Sequence, residues 1–236
     1  HNPPTCLDLE TLNAGISPFQ QRLAFEELLA HRLCMRKFRQ IPDQKSAPSF
    51  KISKELNEQF LDQLPFELTN GQKFASEEIA RDLTQVTPML RLLQGDVGSG
   101  KTVVAALSSL QAINSDFQVA LMAPTEILAE QHFHSFKQWF EPLGIEVGWL
   151  SGRLKGTKRK EALRKLGSGS YQILIGTHAL FQKDVIYKKL GLIIIDEQHR
   201  FGVHQRLSLR NKANRSEIQP HQLVMTATPI PRTLAM

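Results

Sequence analysis

The sequence predicts an α/β fold in which a mainly parallel sheet is covered by helices on both faces. Of the 236 residues, 41% are hydrophobic and 22% are charged, which is the balance of a globular protein with a sizeable core. After Pro65, short apolar runs alternate with helical stretches, as expected where helices connect parallel strands. Several runs end in glycine or polar residues, and ligands of such sheets bind beyond the carboxyl ends of the strands.

Six apolar runs are the predicted strands: Leu90 to Leu93, Val119 to Met122, Ile145 to Leu150, Tyr171 to Ile175, Leu192 to Ile195 and Leu223 to Met225. The stretches between them have helical spacing of apolar residues, which predicts helices at about 71–86, 101–114, 125–140 and 158–167. No internal repeat or low-complexity segment interrupts this alternation. The sequence therefore predicts one layered domain over residues 65–236.

Residues 1–64 have a different pattern and are predicted to form a helical linker segment. Residues 1–15 contain prolines and glycine, and a long helix is expected from Pro18 to about Phe38 behind the cap-like Ser17. A loop at 41–50 then leads to a short helix ending near Leu64. The basic residues of the long helix are compatible with a solvated face or with a nucleic-acid contact.

Charge and cysteine content favour a cytoplasmic protein with an anionic partner. Lysine and arginine exceed aspartate and glutamate by 29 − 23 = 6, which favours but does not require nucleic acid. Cys6 and Cys34 match no metal spacing and are too few for a disulfide framework. No apolar run reaches the roughly 18 residues of a membrane span. Because the chain begins at His1, we interpret it as a fragment.

The segment Gly95 to Thr102 fits the phosphate-loop pattern G-x-x-x-x-G-K-[ST] between a predicted strand and a predicted helix. Its three glycines, Gly95, Gly98 and Gly100, let the backbone approach phosphates closely, and the helix start offers oriented N–H groups. Together with Ser99, they are the candidate phosphate-binding residues of the loop. Lys101 is expected to pair with the β- and γ-phosphates, and the Thr102 hydroxyl to bind Mg²⁺. The sequence thus predicts a nucleotide site. The alternative, a chance glycine-rich turn, does not account for the flanking strand and helix.

A second acidic element follows the fifth predicted strand. The run Leu192 to Ile195 ends at Asp196, which is expected to bind Mg²⁺, and at Glu197, which is suited to orient or deprotonate the attacking water. Two acids after a strand are weak evidence alone, but they agree with the phosphate loop. His199 is interpreted as a polar link to the next motif, with a structural role as the alternative.

Together, Gly95 to Thr102, Asp196 to His199 and Thr226-Ala227-Thr228 resemble the first three ATPase motifs of the superfamily 2 helicases. The longer strings from Asp196 to Arg206 and from Thr226 to Met236 resemble those of the bacterial members that remodel stalled replication forks and branched recombination intermediates. The resemblance implies a RecA-like P-loop NTPase lobe, a three-layer sandwich, over residues 65–236, preceded by the helical linker 1–64. It also implies that a DNA-binding wedge domain and a second motor lobe lie outside this chain.

The resemblance assigns further roles residue by residue. Gln72 is the candidate for adenine recognition, since its amide offers a donor and an acceptor to the adenine edge. Thr226 and Thr228, with His199, are expected to couple nucleotide state to DNA grip. Two segments after strands are expected to face nucleic acid through backbone and hydroxyl groups: Pro124, Thr125 and Glu126, and Gly176, Thr177 and His178. As isolated strings, these would be ordinary strand-to-helix turns, and Gln72 an ordinary surface residue.

Seven cations against one acid, Glu161, lie between Arg153 and Lys165. Such a run is usually a solvated helix face, and the alternative is a salt-dependent contact with the DNA backbone. Aromatic residues make up only 7% of the chain and fall mostly at core-like positions, so no base-stacking platform is inferred.

The residues predict a site for ATP and Mg²⁺, and the resemblance implies the motor lobe of an ATP-dependent DNA helicase that acts on branched or forked duplex DNA. By the same resemblance it is expected to be bacterial, cytoplasmic and monomeric, without membrane contact, and single-stranded DNA-binding protein is a candidate partner. A translocase that couples transcription to repair is the nearest alternative, and an ATP-binding switch that does not hydrolyse ATP is another. Without the second lobe, the fragment is expected to bind ATP but hydrolyse it slowly.

Overall fold

The computed structural model describes residues 46–196 and 218–227. These residues lie within the compact unit Lys45–Met236, whereas the other unit, His1–Gln44, lies outside them. Five helices are described: α1 (Lys54–Asp62), α2 (Asn70–Leu83), α3 (Lys101–Asn114), α4 (Glu126–Phe140) and α5 (Gly156–Ser168). The six strands are β1 (Leu90–Gln94), β2 (Gln118–Met122), β3 (Val147–Leu150), β4 (Ile173–Gly176), β5 (Leu190–Asp196) and β6 (His221–Thr226). Short 3₁₀ turns span Glu141–Leu143 and His178–Phe181.

The six strands form one sheet in the order β1-β6-β5-β2-β4-β3, and every neighbouring pair is parallel. Because parallel strands need crossover connections, helices lie on the faces of the sheet. One apolar core contains residues of α1 to α4, including Phe60 and Phe136. The other contains Leu166 of α5 and Leu180 of the second 3₁₀ turn. The predicted layered α/β fold is confirmed.

Local sequence signals place the helix ends. Thr69 and Gln72 form a reciprocal capping box that starts α2 at Asn70. Thr125 caps α4 by accepting a hydrogen bond from the Leu128 N–H at 3.3 Å. Gly169, in the left-handed conformation, ends α5. The described helices begin and end within about three residues of the predicted positions, whereas the helix predicted from Pro18 to about Phe38 lies outside the described residues.

Four strands begin two residues away from their predicted starts: β3 and β4 begin later, and β5 and β6 begin earlier. At the start of β3 and β4, a side chain replaces one of the backbone hydrogen-bond partners of the paired strands. Gln172 accepts a hydrogen bond from the Glu146 N–H through Oε1 at 2.7 Å, while its own N–H bonds the Glu146 carbonyl. The two segments are therefore already hydrogen-bonded at Glu146 and Gln172, through the Gln172 side chain as well as the backbone.

The described part of the predicted linker, residues 46–64, packs against the sheet layer. Phe50 and Phe60 are fully buried and belong to the same core as β2 and β5. The Phe50 N–H donates to the Leu83 carbonyl at 2.9 Å. The domain boundary between residues 64 and 65 stays a prediction, since residues 1–45 lie outside the described part of the chain.

Candidate nucleotide and nucleic-acid site

The candidate site residues that can be placed lie along the carboxyl edge of the sheet. Since all pairs are parallel, β1, β6, β5, β2 and β4 end at this edge. Gln94, just before the phosphate loop, is in register with Thr226, and Asp196 is in register with Met225. The phosphate loop, Asp196 and Thr226 therefore lie at the ends of neighbouring strands along one edge.

The phosphate loop turns sharply into α3. Gly98 and Gly100 have φ angles of +81° and +78°, a left-handed conformation that only glycine adopts readily. The Ser99 N–H donates to the Asp96 carbonyl at 3.1 Å, which closes the loop. Lys101 is the first residue of α3, so the free N–H groups of the helix start face the loop. This arrangement suits an anion.

Lys101 crosses the loop and holds its two ends. Its Nζ donates to the carbonyl oxygens of Gly95 and Asp96 at 2.7 and 2.8 Å. The Gly95 N–H in turn donates to the Thr226 carbonyl at 3.3 Å, which ties the loop to the end of β6. The ammonium is therefore held where phosphate oxygens could replace carbonyl partners.

Gln72 lies against the same loop. Its Nε2 donates to the Ser99 carbonyl at 2.9 Å, and its Oε1 accepts from the Thr69 N–H at 2.8 Å. An amide has a second N–H and a second oxygen lone pair. Nε2 and Oε1 each make one hydrogen bond that fixes the orientation of the amide. Each atom keeps a second hydrogen-bonding position for a ligand.

Asp196, the last residue of β5, is buried, with 8% of its surface exposed. Its Oδ2 accepts a hydrogen bond from His132 Nε2, the two atoms being 2.7 Å apart. His132 lies on α4 and is also buried. His132 is not among the site residues predicted from the sequence. The available signal was a polar residue on the buried face of α4, because buried polar groups rarely lack a hydrogen-bond partner.

The oxygen atoms at this edge of the sheet are suitable ligands for Mg²⁺. Asp196 and Thr102 offer oxygen atoms, the ligand type that Mg²⁺ prefers, and Oδ1 of Asp196 is not the atom that His132 contacts. Within residues 46–196 and 218–227, no group of three or more histidine, cysteine or acidic side chains could hold a metal by itself.

The two predicted nucleic-acid segments follow β2 and β4, which are neighbours in the sheet. The Ala123 N–H donates to the Gly176 carbonyl at 3.0 Å, so Pro124 and Thr177 begin side by side. Thr177 is buried, whereas His178 and Thr125 are exposed. The Thr125 hydroxyl is engaged as the cap of α4, but it keeps its O–H for a further acceptor.

The basic run contains two kinds of residue. Three of its cations contact acids: Arg153 with Glu126 at 2.8 Å, Arg159 with Asp184 at 2.8 Å, and Lys165 with Glu146 at 2.6 Å. Lys155, Lys158, Lys160 and Arg164 are exposed, and none has an ion pair within the part of the chain that the structure describes. These four residues have no acidic partner there that competes with a DNA backbone, so they are the first candidates for the DNA contact.

Three predicted site residues lie outside the described residues: Glu197, His199 and Thr228. Their roles stay predictions.

Comparisons with known families, sequences and structures all indicate a helicase. The DEAD/DEAH box helicase family matches residues 69–236. The ATP-dependent DNA helicase RecG of Haemophilus influenzae is 58% identical over 236 residues, which are 100% of this chain and 34% of the relative. RecG of Escherichia coli strain K12 is 53% identical over the same span, again 34% of the relative. The solved structure of RecG bound to a three-way DNA junction aligns with a TM-score of 0.77 and 44% identity, covering 91% of this chain and 28% of that one.

The chain belongs to the DEAD/DEAH box helicase family. Within that family it is similar to RecG over its whole length, which confirms the resemblance predicted from the motifs. It spans about a third of the length of the curated relatives it matches, 34% in each case. Among the described residues, no helix is long and apolar enough to cross a membrane.

Proposed function

We propose that this chain is the ATP-binding motor lobe of a DNA helicase that remodels forked or branched duplex DNA. The observation that carries the proposal is the shared sheet edge. The phosphate loop, Asp196 and Thr226 end adjacent strands, and the segments at Pro124 and Thr177 end the next two along the same edge. A nucleotide and a nucleic-acid backbone can therefore contact one rigid sheet.

Phosphate binding is assigned to the loop and to Lys101. The N–H groups at the start of α3 point toward the loop, and Lys101 Nζ can exchange the Gly95 and Asp96 carbonyls for phosphate oxygens. Thr102 and Asp196 would hold Mg²⁺, which supplies neutralisation of charge on the phosphates when bound. Gln72, oriented by Thr69 and Ser99, is proposed to contact adenine.

Hydrolysis is assigned to Glu197, which directly follows Asp196 at the end of β5. A carboxylate at that position can orient the attacking water and accept its proton. A pure ATP switch needs no such base. An arginine from a second lobe is worth roughly 10³- to 10⁵-fold in kcat in related NTPases. We therefore expect the lobe alone to hydrolyse ATP slowly.

The branched substrate is proposed from similarity. RecG in the solved complex binds a three-way DNA junction, and the present chain is 44% identical to it over the aligned region. The DNA-facing edge of β2 and β4 is proposed to contact the phosphate backbone rather than base edges, so it would position the duplex without reading its sequence. A monomeric state and an interaction with single-stranded DNA-binding protein are part of the same proposal.

The test is ATP hydrolysis by the full-length protein with a synthetic three-way fork, with a linear duplex of equal length, and without DNA. We expect the fork to stimulate hydrolysis more than the duplex. Equal stimulation would favour a general duplex translocase, such as one that couples transcription to repair. No hydrolysis under any condition would contradict the helicase proposal and favour a nucleotide-binding switch.

Two variants assign the chemistry within that assay. Lys101→Ala removes charge-assisted hydrogen bonds to phosphate and is expected to weaken ATP binding roughly 10- to 100-fold. Lys137→Ala is the matched control, because Lys137 is an exposed lysine of α4 that contacts Glu141. Glu197→Gln is expected to preserve ATP binding and stop hydrolysis. If Glu197→Gln turned over ATP at the normal rate, the assigned base would be wrong.

A further inference from the structure

We infer that His132 is a positioning residue for the Asp196 carboxylate and that it connects the proposed cation site to α4. The inference rests on the proposed role of Asp196 as a Mg²⁺ ligand. It concerns a residue that neither the motif pattern nor the proposed mechanism uses.

The contact is short and buried on both sides. His132 Nε2 lies 2.7 Å from Asp196 Oδ2, and the side chains are 11% and 12% exposed. An ionised carboxylate only accepts hydrogen bonds, so Nε2–H is the donor. A buried carboxylate without a donor costs free energy, and a charge-assisted hydrogen bond offsets that cost.

The packing of α4 fixes the imidazole ring. Ala129, Phe136 and Phe140 are fully buried on the same helix at intervals of three and four residues from His132 or from each other. The ring is therefore held in one position in the core by the side chains packed around it. A donor in a fixed position restrains rotation of the carboxylate about its terminal torsion, which is otherwise broad.

The restraint has a direction. His132 contacts Oδ2, so the other oxygen, Oδ1, is the one left for a cation at the sheet edge. Groups that orient a metal's ligands typically change metal affinity or activity by 10- to 100-fold when removed. His132 is thus expected to raise the affinity for Mg²⁺ without contacting the cation.

The same contact crosses between two parts of the edge. Asp196 ends β5, whereas His132 is on the helix that begins at Glu126, directly after the proposed nucleic-acid segment at Pro124. β5 and β2 are adjacent, and α4 follows β2. His132 lies seven positions after the cap residue Thr125, about 10 Å along the helix axis. The contact therefore links the carboxylate directly to the helix that follows the proposed nucleic-acid segment.

The experiment measures cation affinity directly. Mn²⁺ replaces Mg²⁺, and the signal of free Mn²⁺ in electron paramagnetic resonance is followed as the full-length protein binds it with a non-hydrolysable ATP analogue. His132→Leu and His132→Gln have similar volume, but only glutamine keeps an N–H donor. We expect the leucine variant to bind Mn²⁺ roughly 10-fold more weakly and the glutamine variant to stay within about 2-fold.

Controls separate positioning from folding. Phe136→Leu disturbs the same buried face of α4 without touching Asp196, and it should lower Tm while leaving Mn²⁺ affinity unchanged. His134→Ala changes an exposed histidine of α4 and should change neither quantity. Equal Mn²⁺ affinity in the leucine and glutamine variants, or a loss in Phe136→Leu as large as in His132→Leu, overturns the inference.

Asp196→Asn separates this inference from the proposed function. If Asp196→Asn weakens Mn²⁺ binding but His132→Leu does not, the metal assignment stands and the role of His132 is overturned. If Asp196→Asn leaves Mn²⁺ affinity unchanged, the assignment of Asp196 is wrong, and the role of His132 is overturned with it.

Discussion

Gln72 joins the start of α2 to the phosphate loop, because its Nε2 donates to the Ser99 carbonyl at 2.9 Å while its Oε1 caps the helix at Thr69. One side chain therefore contributes both to a helix terminus and to the candidate nucleotide site. A substitution at this position has two separable effects, one on stability and one on nucleotide binding.

Gln72→Glu should separate these effects. The carboxylate can still accept from the Thr69 N–H, so the cap is retained, but the donor to Ser99 is lost. We expect unfolding free energy to change by less than about 1 kcal/mol and ATP affinity to fall roughly 10-fold. Calorimetric titration with an ATP analogue measures the second quantity. Gln138→Glu, at an exposed position of α4, is the matched control; an equal loss of affinity in both variants would contradict the role of Gln72.

Gly98→Ala and Gly100→Ala test the loop geometry. Both residues have positive φ, which costs a residue with a Cβ about 1–2 kcal/mol. Nothing lies within 4 Å of a Cβ at Gly98, whereas a Cβ at Gly100 would overlap the Gln72 amide. We therefore expect Gly100→Ala to destabilise more than Gly98→Ala in denaturant unfolding. Equal destabilisation would show that the loop moves freely away from Gln72.

His221 should make stability depend on pH. It is fully buried, accepts from the Met89 N–H at Nδ1 (3.0 Å) and donates from Nε2 to the Pro48 carbonyl (2.7 Å). Burial lowers the pKa of His221, and the Pro48 carbonyl and Asp82 oppose this only in part. The unfolded chain, with a histidine pKa of about 6.5, thus binds the proton more readily than the folded chain.

Stability is therefore expected to fall as pH drops below about 6.5, by up to roughly 1 kcal/mol between pH 7 and 5.5. Urea unfolding at these two pH values measures the change. His221→Asn should lower stability at pH 7 but reduce the pH dependence, whereas His134→Asn, at an exposed position, should leave the dependence intact. A slope unaffected by His221→Asn would mean that another group titrates.

Arg159 is expected to act in stability rather than in DNA binding. Its guanidinium contacts Asp184 and Gln182, each at 2.8 Å, and its side chain is only 18% exposed. Arg159→Ala should cost about 1 kcal/mol of unfolding free energy, whereas Lys160→Ala on the exposed surface of the same helix should cost little. Fork binding across a series of salt concentrations completes the test. A larger loss of DNA affinity for Arg159→Ala than for Lys160→Ala would contradict this division.

The strands and the phosphate loop could be predicted because their signals are local. Each strand is an apolar run, and the spacing of glycine and lysine from Gly95 to Thr102 is enough to predict the conformation of the phosphate loop. The contact between His132 and Asp196 could not be predicted, since the residues are 64 positions apart and only the sheet order brings them together. The division of the basic run also depended on distant acids, such as Asp184, that the run itself does not contain.

The sheet order also determines when the phosphate loop can become structured during synthesis. β1, which leads into the loop, is at the edge of the described sheet and pairs with β6, so Leu92 and Val224 are partners 224 − 92 = 132 residues apart. Contacts between residues so distant in sequence form late, because a long chain segment must first be ordered. A ribosome must therefore make the chain through Thr226 before β1 has a neighbouring strand in the described sheet. Until then the nascent chain carries its phosphate loop without the β6 backbone that supports it.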